Sequence, residues 1–214
     1  MYLPHHFEIA DLNEIDTFIA ANPFGALVNV VEELPVATHL PLQWIARDEE
    51  RYVHGHMARA NTQWRSLSPE QEVLVMFTGP HAYISPRWYT PGNHVPTWNY
   101  TAVHVYGTPR LVTEPAELHG MLKELVDRYE ADTGIIEPYR MENMPENYIA
   151  KLMQGVVAFE IKVNRIAAKY KLSQNRPLQD AQQVMETLEQ QPDDTSRAVA
   201  QMMHRIYDKA STSL

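Results

Sequence analysis

The chain of 214 residues contains no cysteine. Composition therefore excludes disulfides, thiolate metal sites, cysteine nucleophiles and iron–sulfur clusters, and a metal ion would need histidine and carboxylate ligands. The sequence also lacks an apolar run near the ~18 residues of a membrane span, and its start lacks the basic and apolar segments of a signal peptide. We therefore expect a cytoplasmic protein with no membrane partner.

Basic residues are scarce, with 18 Lys and Arg against 27 Asp and Glu and a formal net charge of −9. A charge of this sign repels nucleic acid and anionic membranes unless basic groups are concentrated locally. The sequence has no Gly-x-Ser-x-Gly elbow, Walker loop or Gly-x-Gly-x-x-Gly run, so nothing supports a serine hydrolase, a P-loop enzyme or a dinucleotide-binding fold. No catalytic residue is assigned.

Short β-rich runs separated by Asp, Glu, Pro and Gly turns occupy much of the chain. The predicted strands cover residues 24–31, 36–45, 52–57, 72–78, 95–105 and 156–163. Short strands at this spacing are typical of a small β-barrel.

Helical patterns surround the predicted strands. Helices are expected from Asp11, from Thr113-Glu-Pro115, over 145–153, and over 178–190 and 196–210. The fold class is therefore mainly β with peripheral α-helices. Residues 1–176 are expected to form the barrel domain, and residues 177–214 a C-terminal helical extension packed on the barrel or on a dimer.

The segment 53–64 runs from a strand into a short helix, with Asn61 or Thr62 as its N-cap. Free N–H groups at a helix start and the Arg59 fork both suit a phosphate, so the segment is compatible with a phosphorylated cofactor. The alternative is that Asn61 only caps the helix and Arg59 pairs with a surface carboxylate. The spacing leaves both open.

His54 and His56 lie two residues apart on a predicted strand, and therefore on one face. This spacing could supply two metal ligands, but no carboxylate with evident ligand geometry stands beside them. A structural or cofactor-contacting role is favoured, and no metal ligand is assigned.

Aromatic residues are concentrated between Phe77 and Tyr106. From Trp98 onward they alternate with smaller residues, which gives one strand face that is almost wholly aromatic apart from His104. Such a face could stack a flat ring, or it could be a subunit interface or an ordinary aromatic core.

Residues 162–176 carry five basic groups and no acidic one. They could contact nucleic acid, contact a cofactor phosphate, or simply be solvated. The amides of Leu172-Ser-Gln-Asn175 could hold a heteroaromatic edge. The basic residues are Lys162, Arg165, Lys169, Lys171 and Arg176.

Several long motifs occur together and in order along the chain. They are Met1-Tyr-x-Pro-x-His-Phe7, Ala37-Thr-His-Leu-Pro-Leu42, Gly55-His-Met-Ala-Arg-Ala-Asn61, Gly79-Pro-His-Ala-Tyr-Ile-Ser-Pro86, Val95-Pro-Thr-Trp-Asn-Tyr100, Val103-His-Val-Tyr-Gly107 and Leu172-Ser-Gln-Asn175. With these motifs the chain resembles the PaiB family of FMN-binding-type negative transcriptional regulators.

The resemblance implies a split β-barrel related to pyridoxamine-phosphate oxidases and flavin reductases, built as a homodimer with FMN at the subunit interface. It implies that one set of residues holds the phosphate and ribityl chain, with His56 beside it, and that a second set lies near the ring. The first set is Thr38, Arg59, Asn61 and Gln63; the second is Gln174 and Asn175, from the same chain or from its partner. Trp98 and Asn99 are further candidate cofactor-binding residues.

The resemblance implies a regulator that represses genes for degradative enzymes or differentiation. DNA contact, if direct, would use the basic residues of 162–176. An FMN-dependent oxidoreductase is the alternative. A haem- or metal-binding barrel using His54, His56 and His104 is a third possibility.

Overall fold

The computed structural model describes residues 1–131 and 133–212. Seven strands form one sheet with the order β2-β1-β5-β6-β7-β4-β3. The strands are β1 Phe24–Val31, β2 Leu34–Pro41, β3 Gln43–Arg47, β4 Glu50–Ala58, β5 Val73–Ile84, β6 Thr97–Val112 and β7 Val156–Lys171.

The pairings β1–β2, β1–β5, β3–β4 and β4–β7 are antiparallel. Two registers position the candidate site: Leu27 lies opposite Thr38 in β1–β2, and Ala58 lies opposite Val156 in β4–β7. The second register brings the end of β4 beside the start of β7.

The α-helices are α1 Leu12–Ala21, α2 Pro115–Ala131, α3 Glu146–Gln154, α4 Leu178–Glu189 and α5 Asp194–Thr212. At the start of α1 the Asp11 carboxylate accepts a hydrogen bond from the Asn13 N–H at 2.9 Å, as its capping position predicts. A mainly β fold with peripheral and C-terminal helices is confirmed. No described helix is both long and apolar enough to span a membrane.

The chain divides into two compact units. Unit 1 comprises Met1–Phe18, Phe77–His104 and Ala167–Leu214, and unit 2 comprises Ile19–Met76 and Val105–Ile166. Strands β5, β6 and β7 contribute residues to both units.

Each unit has its own buried apolar residues. In unit 1 the apolar stripes of α4 and α5 bury Val184, Leu188, Val199 and Met203, as their helical spacing predicts. In unit 2, β4 and β7 pack so closely that a Cβ on Gly55 would lie 2.5 Å from the Phe159 ring, which explains a glycine at that strand position.

Several strand boundaries differ from the sequence-based expectation, among them the end of β6, which continues to Val112 instead of ending at residue 105. The run 36–45 divides into β2 and β3 at Leu42, whose N–H donates to the Pro23 carbonyl at 2.9 Å instead of continuing a ladder. Strand β5 continues to Ile84 through Gly79-Pro80, and β7 continues to Lys171. Polar residues interrupt the apolar pattern of β7, but Asn164 has side-chain partners there, donating to Thr108 at 2.9 Å.

Candidate functional site

The segment after β4 turns through a 3-10 helix, Thr62–Ser66, capped by Asn61. The Asn61 carbonyl oxygen accepts a hydrogen bond from the Gln63 N–H at 3.1 Å. This confirms Asn61, rather than Thr62, as the N-cap. The cap fixes the path of the chain directly after Arg59.

Three predicted site residues form a hydrogen-bonded polar cluster in unit 2: Thr38, Asn61 and Gln63. The Asn61 amide donates to the Thr38 hydroxyl at 2.9 Å, and that hydroxyl donates to the Gln63 side-chain oxygen. Gln63 is 2% exposed, and its amide nitrogen has acceptors on β1 and in β2, the nearest being the Asn29 side-chain oxygen at 2.8 Å. The cluster fixes the loop that carries Arg59.

Arg59 is exposed, but three hydrogen bonds fix its position. Its N–H donates to the Gly155 carbonyl at 2.8 Å, its Nε to the Gln154 carbonyl at 2.7 Å and its Nη2 to the Val156 carbonyl at 3.0 Å. These carbonyls belong to the end of α3 and the start of β7, where helix carbonyls lack intrahelical partners. Within the described residues, no carboxylate pairs with Arg59, so its charge is oriented but not neutralised.

The Arg59 side chain lines a cavity of about 700 Å³ in unit 2. This volume is typical of small-molecule sites, at roughly 300–1,000 Å³. The other lining residues come from the region before and at the start of α2 and from one face of α3. They are Thr113, Pro115, Ala116, Leu118, His119, Glu146, Ile149, Ala150, Met153 and Gln154.

His54 lies in a buried ion cluster around Glu160. Its Nε2 lies 2.7 Å from the Glu160 carboxylate, which also accepts hydrogen bonds from Arg47 and Arg110, each at 2.8 Å. Arg110 also pairs with Glu117 of α2. The cluster therefore joins β3, β4, β6, β7 and α2 within unit 2.

The protonation state of this cluster follows from its contacts. Burial alone would raise the pKa of the Glu160 carboxyl, but hydrogen bonds from His54, Arg110 and Arg47 outweigh it and the pKa is lowered. Glu160 is therefore ionised at neutral pH and accepts a hydrogen bond from His54 Nε2. The buried Nδ1 of His54 has no partner in the described part of the chain.

His56 lines a small cavity of about 10 Å³ with His54 and Gln43. Burial lowers the pKa of His56, so its ring is neutral at pH 7. Residues 1–131 and 133–212 contain no group of three or more histidines and carboxylates placed to hold a metal ion. His104 lies in unit 1, where burial also lowers its pKa.

Unit 1 contains the other four predicted site residues. Trp98 is 53% exposed and forms an edge contact with Tyr83, their ring centroids 5.9 Å apart. Asn99 is buried and donates to the Ser173 hydroxyl at 3.0 Å. Gln174 turns back on its own segment, donating to the Tyr170 carbonyl at 2.6 Å and accepting from the Leu172 N–H, whereas Asn175 is exposed.

The basic residues of 162–176 differ in their surroundings. In unit 2, Lys162 and Arg165 are exposed; Lys162 pairs with Glu50 at 2.5 Å, and the Arg165 guanidinium lies 3.7 Å from the Tyr106 ring centroid. In unit 1, Lys169 is buried, Lys171 donates to the Trp98 carbonyl, and Arg176 stacks over Tyr89.

Sequence reasoning missed Glu160, Arg47 and Arg110 because their partners are far apart in the chain. One signal was available: Glu160 is the only charged residue in the apolar run Val156-Val-Ala-Phe-Glu-Ile161. A charge in such a strand needs a buried partner. The cavity residues His119 and Glu146 carry no comparable sequence signal.

Comparison with known proteins places the chain in a family. A family model described as "Putative FMN-binding domain" matches residues 1–165. The protein "Protease synthase and sporulation protein PAI 2" of Bacillus subtilis (strain 168) is 40% identical over 203 residues, covering 95% of this chain and 96% of that protein. An uncharacterized protein of Emericella nidulans is 27% identical over 241 residues, covering 95% of this chain and 96% of that protein.

Solved structures show the same fold at low identity. The flavocytochrome Anf3 from Azotobacter vinelandii matches with a TM-score of 0.57 at 14% identity, covering 78% of this chain and 70% of that one. An FAD- and haem-binding protein from Mycobacterium smegmatis matches with a TM-score of 0.55 at 15% identity, covering 77% and 73%. The fold is the split barrel of flavin-binding proteins, and with the family match and the 40% identical relative it shows that the chain belongs to the PaiB family of FMN-binding-type proteins.

Proposed function

We propose that this protein is a PaiB-like negative transcriptional regulator whose barrel binds FMN, with the FMN phosphate held by Arg59. The family match and the relationship to PAI 2 support the regulator and its flavin. A homodimer is part of the proposal, since barrels of this kind place their flavin sites at a subunit interface.

The observation that carries the proposal is the setting of Arg59. Its guanidinium is fixed by the Gln154 and Val156 carbonyls, and it lines a cavity of small-molecule size. Carbonyl partners orient a guanidinium without cancelling its charge, which leaves it suited to the bidentate hydrogen bonds that phosphate accepts. The residues present therefore fit the phosphate end of FMN.

The other predicted residues have supporting roles in this proposal. Thr38, Asn61 and Gln63 fix the Arg59 loop, and their hydrogen bonds to one another favour this positioning role over direct phosphate contact. Contact of Trp98 and Asn175 with the flavin ring stays a prediction from the family resemblance; both side chains are exposed. Bound FMN would supply redox chemistry or act as the ligand to which the regulator responds. The protein itself binds and orients the FMN.

Flavin binding is tested by titrating the purified protein with FMN and following flavin fluorescence and heat. We expect Arg59→Ala to weaken FMN binding by roughly 10- to 100-fold, because a charge-assisted hydrogen bond contributes about 1.5–3 kcal/mol. The matched control is Arg65→Ala, since Arg65 lies on the adjacent 3-10 helix and does not line the cavity. Equal FMN affinity in both variants would contradict the assignment of Arg59.

DNA binding is a separate part of the proposal and has its own test. Lys162 and Arg165 are the exposed basic residues of the 162–171 strand region. If they contact DNA phosphates, replacing both with alanine should weaken a gel shift on upstream DNA of regulated genes and reduce its salt dependence. An unchanged gel shift would remove this surface from the proposal.

A further inference from the structure

The 700 Å³ cavity has a charge pattern that FMN binding does not explain. One face of α3 supplies five of its lining residues at helical spacing: Glu146, Ile149, Ala150, Met153 and Gln154. Ile149 is buried, and Met153 is half-buried. The middle of this face is thus apolar, while its first residue is an acid.

The two charged lining groups lie near opposite ends of α3. Glu146 is the first residue of the helix, and Arg59 hydrogen-bonds to the carbonyl of its last residue, Gln154, at 2.7 Å. At about 1.5 Å of rise per residue, the backbone positions of these two helix residues are ~12 Å apart. The cavity therefore offers an anion site and a cation site separated by an aliphatic surface.

The lining also indicates which ligands suit the cavity. The one aromatic ring among the described lining residues is the His119 imidazole, and the apolar surface comes from Leu118, Ile149, Met153 and smaller residues. Flat rings are held best by aromatic side chains, whereas leucine, isoleucine and methionine suit flexible aliphatic groups. An extended peptide spans ~12 Å with three to four residues, at roughly 3.3–3.6 Å each.

We propose that this cavity binds a short aliphatic peptide with free termini, its carboxylate on Arg59 and its ammonium group on Glu146. Leu118, Ile149 and Met153 contact the peptide side chains. Because Arg59 is also the proposed phosphate ligand, the peptide and FMN compete; this last step rests on the proposed function. The peptide is then an effector of the regulator.

The direct test uses trileucine as the probe, titrated calorimetrically into the protein without FMN. We expect the free peptide to bind, and we expect N-acetyl-trileucine and trileucine amide each to bind about tenfold more weakly, because each lacks one charged terminus. Glu146→Gln should weaken the binding of free trileucine and remove the difference in affinity between the free and the N-acetylated peptide. Equal affinity for free and capped peptides would overturn the proposal.

A second test blocks the cavity. Ala150→Trp places a large side chain on the exposed, cavity-lining face of α3, and Lys151→Trp places one on the next residue, which is exposed and does not line the cavity. Ala150→Trp should lose trileucine binding, and Lys151→Trp should keep it. Equal trileucine affinity in the two variants would overturn the peptide site.

Further arms separate this inference from the proposed function. Trileucine should raise the apparent dissociation constant of FMN for the unaltered protein and for Lys151→Trp. Trileucine binding without any FMN binding would contradict the proposed flavin binding and support the peptide site. FMN binding without trileucine binding would support the flavin and contradict the peptide site. Decanoate binding as tightly as trileucine, and insensitive to Glu146→Gln, would replace the peptide with a simple fatty acid and overturn the proposal.

Discussion

Unit 2 places its arginines in two different electrostatic settings. Arg47 and Arg110 both hydrogen-bond to the buried Glu160 carboxylate, so their charges are compensated within the protein. Among the described residues, the Arg59 guanidinium donates to carbonyl oxygens and lies 6.0 Å from the Trp64 ring centroid, with no carboxylate beside it. A compensated arginine stabilises the fold, whereas an oriented and uncompensated one at a cavity is available to an anion.

Each setting follows from burial. Glu160 is 5% exposed, and a buried carboxylate is tolerated only when paired groups repay its desolvation. Arg59 is exposed, so its charge stays hydrated and needs no counter-ion. Substitutions in the first setting should therefore change stability, and substitutions in the second should change ligand binding.

The largest effect on stability is expected for Glu160→Gln. Removing the carboxylate charge leaves the buried His54 and two arginines without their shared ionised partner. We expect the free energy of unfolding to fall by about 3 kcal/mol. This value is at the lower end of the range for breaking a buried ion pair, because both arginines are half-exposed. Urea unfolding measures this change. FMN affinity should stay the same. A large loss of FMN binding would contradict the separation between arginines that stabilise the fold and the arginine that binds the ligand.

A somewhat smaller effect is expected for Gln63→Leu. The leucine side chain cannot donate hydrogen bonds, so the buried acceptors on β1 and β2 lose their partner. We expect the free energy of unfolding to fall by about 2 kcal/mol. Urea unfolding should show this loss, and FMN affinity should fall only to the extent that the Arg59 loop moves. An FMN loss as large as that of Arg59→Ala, with stability unchanged, would instead indicate direct ligand contact by Gln63.

The pH dependence of stability should show the Glu160 contribution. The folded-state pKa of Glu160 is lowered below its ordinary value of 4.5, so its stabilisation is fully present above that value and is lost as pH falls through the folded pKa. The stability difference between the unaltered protein and Glu160→Gln should therefore be constant from pH 5 to pH 7 and shrink in more acidic solution. A difference that grows on acidification would contradict the ionised carboxylate.

The smallest effect on stability is expected for Arg59→Lys, with a loss of about 0.5 kcal/mol in the free energy of unfolding. Lysine keeps the charge and can donate to one carbonyl, but it lacks the planar guanidinium that donates to two. FMN affinity should nevertheless fall, since bidentate phosphate contact is lost. Thermal unfolding and FMN titration of the same preparation check both expectations. A variant that loses stability like Glu160→Gln would show that Arg59 acts mainly as a structural anchor of α3.

Local signals predicted much of this molecule. The Asp11 and Asn61 caps, the stop of α3 before Gly155 and the apolar stripes of α4 and α5 all depend on residues a few positions apart. Nearest-neighbour chemistry determines such features, so the sequence alone could reveal them.

Features that depend on distant residues were not predictable in the same way. His54 and Glu160 are separated by 106 positions, and Arg59 and Gln154 by 95. The site residues Thr38, Asn61 and Gln63 were identified through the family resemblance, but only the structure shows that they bind one another. No local pattern could show that the guanidinium of Arg59 belongs to the carboxyl end of α3.

The contact of Lys169 has a practical consequence for protein engineering. Its ammonium group is buried in unit 1, donates to the Tyr2 carbonyl at 3.0 Å and lies 5.4 Å from the Tyr100 ring centroid. Deleting a segment that includes Tyr2 would remove an acceptor from this buried cation. Such a deletion is therefore expected to destabilise unit 1, because a buried charge without a partner is costly.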